Sequence, residues 1–578
     1  MMSVKAKWSR WLLTAVALGC AAPALAQAPA AQPSESAMAN LVRLLVEQGV
    51  ITKDKGAALL QQAETEAAQA RSAKPQQSAE LPPPTQGTIR VPYVPETVRA
   101  QIKEELKAEV LQQARAESWA SPGEGAPEWT KQIKLYGDVR YRSQSRLYSR
   151  SNSDRILDFT EINARGPVDF SGTTKLPFLN TRKDRLNNTL IRARLGLEAQ
   201  IADQVIAGLE IVSGNDNSPI STNQSLGGGF GKRDLWLNKA YVQIAPNDWS
   251  RLSFGRFDNP FFSTELLYDA DLKFDGVAAE FNAGKLLDAG FDLTLRGGAF
   301  PLDFGDPDNP STEIDKRKEV QKYLFSAQVE AAAKIDKLDV RVGAAYHSFT
   351  NVQGRLSEPC NTSISGTICS NDYLRPFFLR KGNTVSFLRQ IADPRINPPQ
   401  PQFFGLVFDY DILNVNASIG FPITDKVPFR LTGDFVKNLA FKRSDVCRYP
   451  GFSEPFNNLG ETPAGGTGAV CGTSADTPFV GGDTGWQAFA TVGQTKPRKA
   501  GEWNVYGGYR YLESDAVLDS LADSEFHGGG TNAKGYFVGG GLALFDNVTV
   551  GARWLSANEV SGDPLAIDVF ELDLEVAF

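Results

Sequence analysis

The sequence predicts an all-β transmembrane fold: an antiparallel barrel of about 16 strands that follows a small α-helical amino-terminal extension. Three observations support this prediction. The last twelve residues alternate between apolar and charged side chains, and segments of about ten residues with the same period of two recur from Trp129 onwards. No run of about 18 apolar residues follows residue 26. Because lipid cannot satisfy open backbone hydrogen bonds, a chain without such runs crosses a membrane only as a closed barrel.

The carboxy-terminal strand separates its two faces completely. Its apolar face consists of Phe570, Leu572, Leu574, Val576 and Phe578. Its charged face consists of Glu571, Asp573 and Glu575. This ending resembles the terminal strand of bacterial outer-membrane barrels, whose closing aromatic residue is recognised by the assembly machinery. The resemblance implies that Phe578 engages that machinery and that outer-membrane lipid and lipopolysaccharide surround the barrel.

The first 26 residues are typical of a secretory signal peptide. Lys5, Lys7 and Arg10 form the basic start, an apolar middle follows, and Ala24-Leu25-Ala26 provides a cleavage site. Cys20 offers lipidation as an alternative, but it lacks the Leu that usually stands three residues before a lipidated Cys. We therefore expect export, with cleavage after Ala26.

Residues 27–128 form the second predicted unit, a periplasmic helical and Pro-rich extension of the barrel at 129–578. Apolar residues follow a helical spacing over 36–72 and 96–117, and a Pro- and Gln-rich spacer over 73–95 separates the two segments. These helices are interpreted in several ways: a solvated stalk, an oligomerisation element, a plug of the barrel, or a peptidoglycan contact. The choice between a monomer and a homo-oligomer also stays open.

The candidate strands have the length of tilted membrane strands. They cover 133–145, 187–200, 205–213, 235–245, 251–258, 274–283, 291–300, 323–335, 338–349, 404–421, 428–441, 485–494, 502–511, 533–545, 548–556 and 567–578. Short and long connections alternate between them, as they do between the periplasmic turns and outer loops of membrane barrels. The even count places both ends of the barrel on the periplasmic side.

Four cysteines follow the signal peptide, and all of them fall in predicted outer loops. Cys360 and Cys369 share the fifth loop, whereas Cys447 and Cys471 share the sixth. An even number of cysteines in an exported chain favours disulfides. Local pairing within each loop is preferred, and pairing across the two loops is the alternative.

Several segments from residue 91 to 578 resemble the putative porin family of Gram-negative outer membranes. They include residues 91–105 (VPYVPETVRAQIKEE), 133–140 (IKLYGDVR), 255–264 (GRFDNPFFST), 269–272 (DADL) and 529–535 (GGTNAKG), together with the terminal strand. The resemblance implies a general-porin-like, water-filled barrel with a periplasmic helical prefix. It implies no particular solute.

The polar face of each strand should line the lumen, because the opposite face is apolar. A slip of one residue would place arginines in lipid, at a cost of about 2–4 kcal/mol each at the membrane midplane. The predicted pore-lining residues are Lys134, Asp138, Arg140, Arg142, Arg192, Arg194, Glu198, Arg296, Arg341, Arg430, Asp434, Arg510, Arg553, Glu571, Asp573 and Glu575. We expect either a basic wall on the first two strands with an acidic strip on the last strand, which pairs with the first, or cross-strand pairs that neutralise each other.

The sequence does not decide which of two kinds of loop narrows the lumen. General porins usually narrow the pore with a long loop after the fifth strand, but here that connection is short. It carries the constriction candidates Glu265, Tyr268, Asp269 and Asp271. The longer loops at 146–186, 350–403 and 442–484 are the alternatives.

Other classes of function have little support in the sequence. The net charge is −7 and no basic cluster dominates, which argues against nucleic-acid binding. The two histidines, His347 and His527, are isolated and are expected to be solvated, so we expect no enzyme, no metal site and no cofactor. The expected function is passive diffusion of small hydrophilic solutes or ions. The alternative is a structural anchor whose periplasmic helices bind peptidoglycan or partner proteins.

Overall fold

A computed structural model describes residues 132–166, 168–169, 176–214, 218–288, 290–304, 320–361, 368–391 and 401–578. The predicted signal peptide and helical extension lie outside the described residues. Among the helices that are described, none is long and apolar enough to span a membrane.

Sixteen long strands close into one antiparallel barrel, as the sequence predicts. They are β1 (Ile133–Tyr148), β2 (Arg185–Ala202), β3 (Val205–Ser213), β4 (Leu235–Asn247), β5 (Ser250–Asp258), β6 (Lys273–Asn282), β7 (Asp292–Asp303), β8 (Lys322–Ile335), β9 (Leu338–Phe349), β10 (Asp411–Thr424), β11 (Val427–Asn438), β12 (Thr484–Gly493), β13 (Trp503–Leu512), β14 (Ala533–Phe545), β15 (Val548–Asn558) and β16 (Ala566–Ala577). Each strand pairs with its neighbours in sequence. The barrel closes where β1 pairs with β16, from Asp138 opposite Ala577 to Tyr148 opposite Ile567.

The two ends of the barrel differ in the length of their connections. At one end, tight turns such as Asp336-Lys337 and Asp546-Asn547 join the strands. Asp336 and Asn547 adopt φ values of 54° and 62°, the left-handed conformation that tight hairpin turns require. The connections at the other end are longer, and we call it the long-loop end.

The strands expose one apolar face, which forms the outer surface of the barrel. In β1, Leu135, Val139 and Tyr141 are 63%, 44% and 45% exposed, whereas Asp138 and Arg142 are only 5% and 4% exposed. Exposed aromatic side chains also lie near both barrel ends, as in the two girdles of membrane barrels. They are Trp486, Tyr536, Trp554 and Phe570 toward the long loops, and Phe421, Trp503 and Phe545 toward the turns.

The fifth loop, residues 350–410, corrects one predicted strand. The sequence predicts a strand over 404–421, but β10 begins only at Asp411. Phe404–Leu406 instead pairs with Val385–Phe387 in a small two-stranded sheet of the loop. The apolar run was misleading because Phe404, Phe408 and Tyr410 are buried among the loops rather than against lipid.

Two disulfides join cysteines within single loops. Cys360 bonds to Cys369 in the fifth loop, and Cys447 bonds to Cys471 in the loop between β11 and β12. The preferred local pairing is therefore confirmed. The bonded cysteines are nine residues apart in the first disulfide and 24 residues apart in the second. Each disulfide therefore closes a short segment of chain and limits the freedom of the loop that carries it.

Candidate functional site in the barrel interior

Strand alternation collects charged side chains on the face opposite the apolar one, and many of them meet where the barrel closes. Arg142 of β1 lies between the acids of β16 and one acid of the loop between β13 and β14. Its Nε and Nη2 donate to the two carboxylate oxygens of Asp573 at 2.7 and 2.8 Å. Its Nη1 donates to Glu571 at 2.9 Å and to Glu525 at 3.1 Å. This forked geometry makes the bonds both strong and directional.

A second arginine connects three strands beside it. Arg192 of β2 donates to Asp138 of β1 at 2.9 Å and to Glu575 of β16 at 3.1 Å. Arg194 donates to the other oxygen of Asp138 at 2.5 Å. On the far side of Glu571, Arg553 of β15 donates to that carboxylate at 2.9 Å. The sequence hypothesis of mutually neutralising pairs therefore describes most of this region.

Arg140 is the exception in this region. Its Nη2 donates to the amide oxygen of Asn223 at 2.7 Å, and its buried Nε has no hydrogen-bond partner. Arg140 makes no ion pair with any described residue, although its neighbours Arg142 and Arg192 both do. The guanidinium group of Arg140 therefore uses only part of its hydrogen-bonding capacity.

The remaining predicted pore-lining residues are distributed around the barrel. Arg296 and Arg341 share Glu330 of β8, and Arg296 also donates to Glu280 at 2.8 Å. Arg430 lies 3.3 Å from Asp339. Glu198 accepts from the hydroxyl of Tyr241, and Lys134 is exposed opposite Glu198. Arg510 pairs with Asp523 and donates to Gln487 Oε1 at 2.9 Å. The structure therefore gathers the predicted residues of β1, β2, β15 and β16 into one network, and it joins Arg296 and Arg341 separately through Glu330.

The short connection between β5 and β6, residues 259–272, folds toward this charged face; we call it the inward loop. The side-chain amide of Gln328 accepts from Phe262 N at 2.8 Å and donates to Phe262 O at 2.9 Å. Thr264 donates to Asp434 of β11 and accepts from Gln487 of β12. These bonds attach the loop to strands far from its own ends.

Three of the four constriction candidates are tied to surrounding groups. The hydroxyl of Tyr268 lies 3.1 Å from His347 Nδ1, and both side chains are buried. Asp269 accepts from Ser524 N at 2.8 Å, and Asp271 accepts from the hydroxyl of Thr222 at 2.8 Å. Glu265 remains half-buried, and its pKa is raised by burial and then by the nearby charge of Asp523. Tyr268 and Asp269 thus act mainly as attachment points of the loop.

A second loop, residues 513–532 between β13 and β14, is almost wholly buried; we call it the mouth loop. Asp515 accepts from Thr384 N at 2.7 Å and from the hydroxyl of Tyr410 at 3.1 Å. Asn383 donates to the carbonyl oxygens of Ser514 and Val517. The fifth loop therefore covers the mouth loop, and the mouth loop in turn contacts the inward loop through Leu521 O and Asp269 N at 2.9 Å.

Both histidines correct the sequence prediction, which expected solvated positions. His347 and His527 are 0% and 1% exposed. The inward loop covers His347 with Tyr268 and Phe261, and His347 Nδ1 also lies 2.8 Å from the hydroxyl of Ser326. His527 lies between Lys381 and Leu565 O. Their burial follows from loops that fold back over the barrel mouth, which strand alternation does not reveal.

One group of carboxylates lies close enough to share a cation: Asp269, Asp523 and Glu525. Each is already engaged, since Asp269 accepts a backbone N–H, Asp523 pairs with Arg510 at 2.7 Å, and Glu525 pairs with Arg142. We therefore assign no metal to this group.

Two cavities lie beside the loops. One of about 300 Å³ is bordered by β1, β2, the first loop, the fifth loop and the mouth loop. The other, of about 340 Å³, contains Asp271 and Arg256 in its wall. Ser218, Ser221 and Phe378 border both cavities. A polar solute at the long-loop end would meet these spaces.

Several charged residues of the interior were missed at the sequence level. Glu280 and Glu330 follow the same alternation as their arginine partners, so strand alternation was a sufficient signal for them. Glu525 and Asp523 had no such signal, because they lie in a loop without periodicity. Their position depends on how the mouth loop packs.

Several known proteins are similar to this chain. Similar solved structures include OprB of Pseudomonas putida (11% identity, 79% of this chain and 97% of that chain, TM-score 0.41). OmpF of Salmonella typhi is also similar (9% identity, 77% of this chain and 97% of that chain, TM-score 0.36). So is the outer-membrane channel DcaP of Acinetobacter baumannii (10% identity, 77% of this chain and 97% of that chain, TM-score 0.34). No curated protein sequence matches. A model of the family described as putative porin matches residues 35–578. Because that match extends over nearly the whole sequence, the chain belongs to the putative porin family.

Proposed function

We propose that the protein is a passive diffusion channel of the outer membrane for small hydrophilic solutes or ions. Family membership supports an outer-membrane channel rather than an enzyme. The single observation that carries the finer proposal is the inward loop, which is bonded through Phe262 and Thr264 to strands β8, β11 and β12. A barrel of 16 strands is wide enough for an aqueous channel, and a loop held across it would set the width.

In this proposal the charged residues named above line the path of the solute. The inward loop contributes Glu265 and Asp271, and the facing wall contributes the arginines of β1, β2 and β15. Arg341 supports the loop directly, since its guanidinium lies 3.8 Å from the centre of the Phe262 ring. Fixed charges on opposite walls orient polar solutes and bias the choice of ions.

Planar-bilayer conductance of the purified full chain tests the proposal. We expect large, steady current steps in a simple salt solution, and a reversal potential under a salt gradient that reports the sign of the selectivity. A second protein lacking residues 27–118 tests whether the amino-terminal extension plugs the barrel. Conduction that appears only after this deletion would assign the extension to a plug, whereas silence in both proteins would contradict a diffusion channel.

A further inference from the structure

Two arginines face each other at the outer end of the β1–β2 pair. Arg146 and Arg185 are partners across the two strands. Like charges directly opposite each other destabilise a sheet. Arg146 Nε donates to Gln144 Oε1 at 2.9 Å, and the guanidinium of Arg185 lies 5.9 Å from the centre of the Tyr148 ring. Neither arginine makes an ion pair with a described residue, so no described carboxylate relieves their repulsion.

The fifth loop brings two more cations to the same cavity of about 300 Å³. Arg380 Nη1 donates to Ser524 O at 3.2 Å, and Lys381 Nζ donates to His527 Nδ1 at 2.7 Å. These partners are neutral, and neither cation forms an ion pair within the described part of the chain. Burial lowers the pKa of Arg380, and the nearby charge of Arg146 lowers it further despite the acids around it. The two guanidinium groups are thus close enough to repel each other.

Glycines of the mouth loop allow these cations to approach. Gly529 and Gly530 adopt φ values of 93° and 88°, which favour glycine. A Cβ at Gly529 would collide with Arg380 Nη1, and a Cβ at Gly530 would collide with Lys381 O. The Gly-Gly step of the mouth loop therefore fits the two basic residues of the fifth loop.

The acids in the cavity wall do not balance this charge. The carboxylate of Asp158 caps a short helix by accepting from Thr160 N and Glu161 N. Glu525 is bonded to Arg142 at 3.1 Å and lies 3.9 Å from Arg553. The described wall of the cavity therefore carries four basic side chains against two carboxylates, and both carboxylates are already hydrogen-bonded.

We propose that this cavity is a binding site for a small organic anion, in which Arg146, Arg185 and Arg380 hold a carboxylate group. The planar guanidinium fork suits a carboxylate, and such charge-assisted bonds would relieve the repulsion between the arginines. The wall also contains Leu157, Phe159 and Leu379, which would contact an apolar body. The site therefore selects carboxylates that carry a small apolar group. This inference rests on the proposed function, since it names the class of solute that the channel accepts at its mouth.

Isothermal titration calorimetry with benzoate tests the proposal on the full, folded chain in detergent. Benzamide is the matched neutral probe, because it has the same ring and nearly the same shape. We expect benzoate to bind at least about tenfold more tightly than benzamide, since loss of the charge removes charge-assisted hydrogen bonds. The double variant Arg146→Gln/Arg185→Gln should lose about tenfold or more of the benzoate affinity. Arg150→Gln, which removes an exposed cation of the first loop, should leave it unchanged.

Two further readouts separate binding from folding and from conduction. The double variant should unfold at a temperature no lower than the unmodified protein does, because it removes two like charges. Equal affinity for the two probes, no benzoate binding, or unchanged affinity in the double variant would overturn the site. Conductance measured in parallel distinguishes the failures. A conducting channel without benzoate binding refutes only the site, whereas silence of both the full chain and the protein lacking residues 27–118 refutes the channel.

Discussion

At Arg140 the barrel interior carries a guanidinium that makes no ion pair with a described residue. Arg142 and Arg192 beside it are bonded to acids of β16, while the described partner of the Arg140 side chain is Asn223. An unmatched charge influences mobile ions more than a paired one, because the field of a pair decays faster with distance. Arg140 is therefore the residue on which ion selectivity should depend most directly.

Replacing Arg140 by Gln should shift the reversal potential under a salt gradient toward cation selectivity. The side chain keeps a hydrogen-bond donor for Asn223, so the change is mainly the loss of one positive charge. The matched control is the double variant Arg430→Gln/Asp339→Asn, which removes both members of the pair at 3.3 Å and leaves the net charge unchanged. A shift in the control that equals the shift in Arg140→Gln would contradict this assignment.

Lys381 should make anion binding at the mouth depend on pH. Burial is the main reason that the pKa of Lys381 is lowered to about 7. The positive charge of Arg380 also lowers this pKa, whereas the negative charges of Asp519 and Glu559 raise it. Below that pH the ammonium is charged and attracts an anion; above it the amine is neutral. Burial also raises the pKa of Asp519 to about 7, so its carboxyl group is protonated and neutral below that pH. Loss of this negative charge favours anion binding, as protonation of Lys381 does. His527 stays neutral, because burial and the charge of Lys381 lower its pKa.

Benzoate affinity measured by calorimetry should therefore be about three- to tenfold tighter near pH 6 than near pH 8. Benzoate itself stays ionised across this interval, so the change reports the protein. Lys381→Arg keeps the charge at both pH values and should reduce the dependence, leaving the contribution of Asp519. An affinity that is flat or that rises with pH would refute the role of Lys381.

The two histidines show where residue-level prediction from the sequence fails. Their neighbours in sequence suggest a strand end and a Gly-rich loop, both of which are usually solvated. Their burial arises from contacts with Tyr268 and Lys381, which are 79 and 146 residues away. By contrast, the arginines of β1 and β2 lie on the face opposite the apolar one, because alternation along a strand fixes each side chain relative to its neighbours.

At the level of elements, one of the attachments that hold the inward loop to the barrel wall is a pair of hydrogen bonds. Gln328 of β8 both accepts from and donates to the backbone of Phe262. Gln328→Leu has a similar size but cannot form either bond, which should weaken the attachment by about 1–3 kcal/mol. We expect larger or noisier single-channel currents in planar bilayers, while the barrel itself folds normally.

Gln200→Leu is the matched control for this prediction. Gln200 lies on β2, and within the described part of the chain its side chain bonds to the carbonyl oxygens of Ala202 and Asp203 at the nearby turn. Its removal should leave the current unchanged. If Gln328→Leu conducts as the unmodified channel does, the loop is held by other contacts and Gln328 does not set its position.

The strands were predictable from the sequence and the loops were not, for one physical reason. A strand between lipid and water must alternate between apolar and polar side chains, so a hydrophobic period of two identifies nearly every strand of the barrel. The mouth loop has no such requirement, and its burial depends on particular hydrogen bonds such as those of Asn383 and Asp515. The inward loop was recognised only as one of several candidates for the constriction, since its shortness argued against it.

For the whole molecule, closure of the barrel depends on a single seam between the first and last strands. Gly137 of β1 and the terminal Phe578 exchange two backbone hydrogen bonds, each 3.0 Å long. The Phe578 ring packs directly over Gly137: a Cβ there would lie 2.6 Å from Phe578 Cζ and would also collide with Arg194 O. The carboxy-terminal aromatic residue thus fits a glycine on the opposite strand.

Gly137→Ala should therefore impair closure of the whole barrel. Overpacking at this seam should cost about 1–3 kcal/mol, because neither the Arg194 backbone nor the terminal strand can move away freely. Gly433→Ala on β11 is the control, since a Cβ there meets nothing within 4 Å. Refolding yield, read from the electrophoretic mobility of unheated samples, should fall for Gly137→Ala alone. If Gly433→Ala impairs folding as much, the effect belongs to strand glycines in general; if neither does, the ring of Phe578 moves aside and the seam tolerates a larger residue.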